Sequence, residues 1–243
     1  MRRIAIVGKG NVGTHLHRAM TAAGIEAKLY SSRGFDGFSH NPDIILLTVK
    51  DDVIEDMSTL LASRLSGFNG VVAHTSGSVS IEVLRPFFNN IGVFYPLQTF
   101  SKANLSLKYS EIPFFIEGSD SDVTQKLESI AMLLSRNVFR LDSPQRMKMH
   151  IASVFACNFS NALFNISHGI LEEAGIPFEV IIPLIHETVR KLETLSPKEA
   201  QTGPAIRGDS KVISRHLDSL SSSPDLQNIY RLLTEYINPD NIK

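Results

Sequence analysis

The chain is poor in several features that would narrow its role. It has a single cysteine, Cys157, so an intrachain disulfide and a zinc cluster of several thiolates are both excluded. Cys157 lies in an apolar helical stretch and is read as packing filler, not as a nucleophile. No apolar run approaches the roughly 20 residues that span a bilayer. Met1-Arg2-Arg3 leads into a short apolar run and then a glycine motif, without the apolar core and cleavage site of a signal peptide, so a cytoplasmic location is expected. Neither sign of charge dominates: 24 Lys and Arg face 25 Asp and Glu, and no basic stripe with interleaved aromatics stands out. Nucleic acid is therefore not an expected partner. No internal repeat or low-complexity linker interrupts the chain.

What is present is an ordered alternation. Strands are expected at Ile4–Val7, Ala27–Tyr30, Ile44–Val49, Val71–His74, Gly92–Tyr95, Pro113–Glu117 and Asn137–Arg140. Several are continuously apolar, as strands buried on both faces must be. Helical patterns lie between them at Asn11–Ala23, Asp52–Leu65, a short piece near Val79–Leu84, and Asp122–Ser135. This alternation predicts an α/β domain with a doubly wound, mainly parallel sheet. After Arg140 the pattern changes. Asp142-Ser143-Pro144 is a helix-start signal, and one long helix is expected from there to about Ala174, stopped by Gly175-Ile176-Pro177. Further helices are expected at about 178–195, 209–220 and 224–237. The chain is thus read as two domains, 1–141 α/β and 142–243 all-helical.

The first strand runs into Gly8-Lys9-Gly10-Asn11-Val12-Gly13. Closing a strand and opening a helix is the context that gives a G-x-G-x-x-G motif meaning. Gly8 permits the turn, Gly10 leaves room for a diphosphate, Gly13 lets helix and strand approach, and the helix N-terminus offers N–H groups to phosphate. This is the fingerprint of a Rossmann dinucleotide site. A carboxylate at the end of the second strand would hold a ribose 2′-hydroxyl. Here the residues are Tyr30-Ser31-Ser32-Arg33, two hydroxyls and a guanidinium, which suit a 2′-phosphate and so NADP. The plainer alternative makes Arg33 a solvated loop residue.

Other strand ends face the same side. Thr48-Val49-Lys50 and His74-Thr75-Ser76-Gly77 are assigned to the cofactor side, and Gln98, in Tyr95-Pro96-Leu97-Gln98-Thr99, to substrate. The plainer alternative for Ser76 or Ser78 is to cap a helix before Val79, which is compatible with a ligand role, and that for His74 is a hydrogen-bonded structural histidine. On a wheel of about 100° per residue, His150, Asn161 and His168 fall together, with Asn158 and Asn165 nearby and Ile151, Phe155 and Phe159 adjoining. Amides and imidazoles without charge beside apolar residues predict a partly buried polar ridge. His150 is the candidate proton donor and Asn158 its orienting amide, since imidazole exchanges protons near neutral pH. In Gln201-Thr202-Gly203-Pro204-Ala205-Ile206-Arg207-Gly208-Asp209, Arg207 could hold a substrate carboxylate, or the segment is a connector with Asp209 capping the next helix.

Taken together, GKGNVG (8–13), YSSR (30–33), HTSGS (74–78), YPLQTF (95–100), HIASVFACNFSNAL (150–163) and TGPAIRGD (202–209) resemble the 6-phosphogluconate-dehydrogenase-like superfamily. Within it the chain looks like a subgroup of Rossmann-like oxidoreductases whose C-terminal half is a domain of unknown function. The resemblance implies NADP chemistry on a small carbonyl, imine or hydroxy-acid substrate. It also implies a helical domain of the 6-phosphogluconate dehydrogenase C-terminal type and a homodimer formed through those helices. Related 3-hydroxyacid enzymes use a lysine on the first helix of that domain. Here His150 and Asn158 stand in that region and Lys148 points elsewhere on the wheel, so 3-hydroxyacid oxidation is not implied. The competing functional class is a protein that binds NADP as a sensor without turning it over.

Overall fold

The computed structural model describes residues 3–39, 41–104 and 106–242. Among them, the apolar runs form a seven-stranded sheet ordered β2-β1-β3-β4-β5-β6-β7. The strands are β1 (Ile4–Val7), β2 (Ala27–Tyr30), β3 (Ile44–Leu47), β4 (Val71–His74), β5 (Ile91–Pro96), β6 (Phe114–Gly118) and β7 (Val138–Arg140). Every residue of β1, β3 and β4 is buried, which is why these runs do not alternate with polar residues. Ile4, Ile6, Ile44, Leu46 and Phe94 point to one face, under α1 (Asn11–Ala22) and α3 (Ser121–Leu134). Ala5, Val7, Ile45, Leu47 and Val93 point to the other, under α2 (Ile54–Arg64) and the short 3-10 helix Ile81–Leu84. Each fully buried Leu or Ile contributes about 1.5–3 kcal/mol, so packing more than helix propensity fixes α1–α3 on the sheet.

The strand order reverses between β1 and β3, and ligands of open α/β sheets bind outside the strand C-termini at such a switch point. The glycine turn and the Thr48 loop flank it.

Strands β1 to β5 are parallel, but β6 is antiparallel to β5, and β7 follows β6. The chain therefore leaves the sheet at the end remote from the C-termini of β1–β5. The next helix, α4 (Ser143–Ser153), carries it back toward them. It opens on the expected signal: Asp142 and Gln145 form a capping box, with Pro144 in the first turn.

Several expectations are corrected. The helix expected over Asp52–Leu65 starts as a 3-10 turn, Asp51–Val53, before α2. Ser80, not Ser76 or Ser78, caps the short Ile81–Leu84 helix, accepting from the Glu82 N–H at 3.3 Å. The long helix is not uniform. A π-helical turn, Val154–Phe159, separates α4 from α5 (Ser160–Glu173). A π turn inserts about one residue, so side chains beyond it are displaced by about 100° from a 3.6-residue wheel. Nor is the predicted polar ridge a partly buried one: Asn158, Asn161 and Asn165 are exposed, as are the apolar residues between them. Cys157 is exposed as well, not packed.

Two compact units are distinguished, residues 1–163 and 164–243. The first holds the whole sheet together with α4 and the π turn. The second holds α6 (Ile182–Arg190), α7 (Pro197–Ala200), α8 (Pro204–Arg207), α9 (Ser210–Ser219) and α10 (Pro224–Ile237), and no strand among its described residues. Ala205, Ile213 and Leu217 are buried in it, and Gln227 donates to the Leu217 carbonyl. The helix expected over 178–195 is divided by 3-10 turns at Phe178–Ile181 and Lys191–Glu193. Among the described residues no helix is long and apolar enough to cross a membrane.

Candidate functional site

Two of the three motif glycines are required by the protein itself. Gly8 has φ +126°, and a Cβ there would lie 2.4 Å from the Thr48 carbonyl oxygen. A Cβ on Gly13 would lie 2.0 Å from the Gly8 carbonyl oxygen and 2.5 Å from Thr48 Oγ1. Thr48 is thus a clasp: its hydroxyl donates to the Gly8 carbonyl at 2.9 Å, with the Val7 carbonyl at 3.2 Å. Gly10 differs. Its φ of −74° suits any residue, and the nearest atom to a Cβ is 3.9 Å away. Nothing within the fold demands glycine there, whereas a diphosphate approaching the turn would. No side chain caps α1 and no acid stands in its first turn, so its first N–H groups lie uncapped at the positive end of the helix. Lys9 is exposed beside them. The Asn11 side chain is engaged, donating to the Phe100 carbonyl at 3.0 Å. His15, one turn on, is buried between Tyr109 Oη and the Ser101 carbonyl, both at 2.9 Å. The loop after β5 is therefore tied to α1.

At the end of β2, Tyr30 packs against Phe38 with centroids 5.0 Å apart. Ser31 donates to the Arg33 carbonyl at 2.9 Å, which shapes the turn. Ser31 and Arg33 are exposed, Ser32 is half-buried, and no ion pair among the described residues uses Arg33. Lys50 is exposed and Val49 half-buried at the end of the next strand. The residues at hand fit a phosphorylated dinucleotide: an N–H cradle with open space at Gly10, and a guanidinium with two hydroxyls at β2.

The loop after β4 divides its labour. His74 is fully buried, and its Nδ1 accepts from the Ser76 N–H at 3.2 Å. Burial first, and the Arg146 charge second, lower its pKa to about 4, so it is neutral. Its Nε2–H has no partner within hydrogen-bond distance, although the Ser80 backbone lies close enough to favour the protonated ring slightly. Full burial and the 3.2 Å bond at Nδ1 suit the structural alternative for His74 better than a ligand role. Thr75 turns inward too, its hydroxyl on the Leu47 carbonyl at 3.2 Å. Ser76 Oγ accepts from the N–H groups of Ser78 and Val79 at 3.1 and 3.0 Å, closing the turn, and Ser78 donates to Asp51.

Gly77 is where this loop meets α4. A Cβ there would lie 2.6 Å from His150 Nδ1 and 2.7 Å from Tyr95 Cζ. His150 Nδ1 is 3.2 Å from the Tyr95 hydroxyl, with the rings edge to face at 6.1 Å. Arg146, one turn before His150, is only 1% exposed. It pairs with Glu117 on β6 and donates to the Val79 carbonyl, while Ser143 donates to the same Glu117. This network seats α4 against the sheet and brings His150 to the ends of β4 and β5. Burial raises the Tyr95 pKa above its ordinary value, against the opposing effect of Arg146, so the phenol keeps its proton.

Of the sequence candidates, Gly8–Gly13 and Thr48 assemble around one turn, and His74–Gly77 with His150 around another. By strand spacing β4 stands roughly 10 Å from β1, two strands away. Asn158 is not brought to His150: roughly 12 Å of helix rise separates them. Gln98 is exposed, its Oε1 accepting from its neighbour's N–H at 2.7 Å. In the second unit Arg207 is exposed and held by Asp209 at 2.8 Å, and Asp209 makes no side-chain cap to α9, contrary to the capping alternative. Tyr95 and Arg146 were not singled out by sequence reasoning. Tyr95 was signalled by its place at a strand end; Arg146 carried no signal, because a lone arginine in a first helical turn reads as solvated.

A family model described as a domain of unknown function, DUF2520, matches residues 112–237. Among solved structures, the "putative NADP oxidoreductase BF3122" of Bacteroides fragilis is 34% identical, with 98% of each chain covered and a TM-score of 0.89. A pyrroline carboxylate reductase of Plasmodium falciparum with NADP bound is 17% identical, covering 99% of this chain and 98% of that one, at a TM-score of 0.60. An imine reductase variant of Myxococcus stipitatus in complex with NAD+ is 13% identical, covering 99% and 95%, also at 0.60. At such identities the last two show shared fold alone. No curated protein matches the chain.

Proposed function

The chain belongs to the DUF2520 family, and from that premise we propose that it is an NADP(H)-dependent oxidoreductase acting on a small carbonyl or imine substrate. The observation that carries this reading is Gly10, a glycine the fold does not need, set between two that it does, at an uncapped helix N-terminus. Arg33 with Ser31 and Ser32, and the want of a carboxylate at that strand end, favour the phosphorylated dinucleotide. The name of the Bacteroides relative agrees with it. Placement in the 6-phosphogluconate-dehydrogenase-like superfamily is part of the same proposal.

When bound, a reduced nicotinamide supplies the hydride. The N–H groups of Asn11, Val12 and Gly13 would hold the diphosphate, and Arg33 the 2′-phosphate. His150 would give a proton to the atom that gains the electron pair and recover one from solvent. Gln98 would hold the distal part of the substrate; Asn158, the expected orienting amide, is not brought to His150, and Arg207 is engaged by Asp209, so neither is given a role. The uncharged helical stretch with Ile151, Phe155 and Phe159 exposed supports a homodimer formed through the helices.

Titration with NADPH and NADH, followed by turnover on a panel of keto acids and cyclic imines, tests the reading. NADPH is expected to bind more tightly. Gly10→Val is expected to abolish binding at a cost of no more than about 1 kcal/mol at the N-cap of α1, whereas Gly13→Ala destabilises the fold by about 1–3 kcal/mol through overpacking. No affinity for either dinucleotide refutes the proposal. Binding without turnover on any member favours a sensor instead.

A further inference from the structure

The pair formed by Tyr95 and His150 has a direction. A neutral imidazole carries its proton on one nitrogen, and the partner of the other decides which. Among the described residues the Tyr95 hydroxyl has one hydrogen-bond partner, His150 Nδ1. Were Tyr95 to accept from an Nδ1–H, its own proton would be left without a protein acceptor among the described residues in a half-buried position. By donating, it satisfies both groups. Among the described residues His150 Nε2 has no hydrogen-bond partner, and it is not sealed from solvent.

We infer that Tyr95 is a positioning residue that fixes His150 as the Nε2–H tautomer, so that the site offers its substrate a hydrogen-bond donor. The recognised atom then bears a lone pair: a carbonyl oxygen or an unprotonated imine nitrogen, not an iminium. The imidazolium also carries a proton on Nε2; there Nδ1 is protonated as well and Tyr95 accepts from it, and loss of the Nε2 proton to the reduced atom leaves a neutral ring. Gly77 belongs to the device, because any larger residue would part the two rings. Arg146 sets the height of α4 at which they meet. The buried phenol's raised pKa keeps the donated proton in place at neutral pH. The inference rests on the reading of His150 as the group that faces substrate.

Long-range proton–nitrogen NMR on histidine-labelled full-length protein reads the tautomer directly and needs no substrate. His150→Gln assigns the signal. The wild type is expected to show a single Nε2–H pattern with Nδ1 as a hydrogen-bonded acceptor. Tyr95→Phe and Gly77→Ala should each lose that pattern, giving an averaged signal and a shifted Nδ1 resonance. An Nδ1–H pattern in the wild type, or an unchanged signal in Tyr95→Phe, overturns the inference. A parallel NADPH titration keeps the two claims apart. Its failure in the wild type sinks the oxidoreductase reading and leaves the tautomer result to stand or fall alone. On a carbonyl substrate that supports turnover, Tyr95→Phe should lower kcat about tenfold or more with NADPH affinity unchanged, since one orienting bond is worth about 1–3 kcal/mol.

Discussion

His74 stands at the end of β4 with no exposure to solvent, and its depressed pKa makes it a pH-dependent weight on stability. The unfolded chain takes up the proton near 6.5, the folded chain only near 4. The unfolded state therefore binds more protons in that interval. Stability is complete above about pH 6.5 and falls as pH drops toward 4, by about 3 kcal/mol at 1.36 kcal/mol per unit. His74→Asn retains an acceptor for the Ser76 N–H but does not titrate there. Urea midpoints measured from pH 7 to 4 should fall for the wild type and stay much flatter for the variant; equal slopes would show that His74 is not the group responsible. The same scale shows what sequence reading can reach. The three glycines were legible because spacing and context specify them. Which of them the fold requires was not, since that depends on Thr48, a residue distant in sequence. His74 and His150 looked alike in the sequence, and only burial separates the structural one from the candidate donor.

Among the elements, α4 depends on the pairing of Arg146 with Glu117. Glu117→Gln leaves a guanidinium buried without its counter-charge and should cost about 3 kcal/mol in chemical denaturation. Replacing both by Met and Leu should recover most of that loss, because the penalty lies in the orphaned charge more than in the missing pair. A double variant as unstable as the single one would point to packing instead. All seven strands were legible from apolar runs such as Ile44–Leu47, and the first three helices from their periodicity. The direction of β6 was not: Phe114-Phe115-Ile116 is as continuously apolar as any parallel strand, and only its pairing with β5 reveals the reversal. The π turn left no mark either, since Val154–Phe159 contains neither glycine nor proline, and a wheel drawn at 3.6 residues per turn misplaces the later side chains by about 100°.

For the whole molecule, the exposed aromatics of the helical stretch are the feature least at ease in water. Phe155 is 65% exposed and meets Phe159 edge to face at 5.0 Å. With a second copy covering that surface, sedimentation should report a dimer for the wild type and a monomer for Phe155→Glu/Phe159→Glu. A wild-type monomer would refute the assembly. The topology also sets an order in time. The clasp on the glycine turn is complete once Thr48 has been made, but the Tyr95–His150 bond spans 55 residues and the Arg146–Val79 bond 67, and both wait for the chain to pass through β6 and β7 and return. Contacts of such separation close late. If the proposed function holds, a chain still emerging from the ribosome would have its glycine turn clasped by Thr48 before the candidate proton donor His150 is in place.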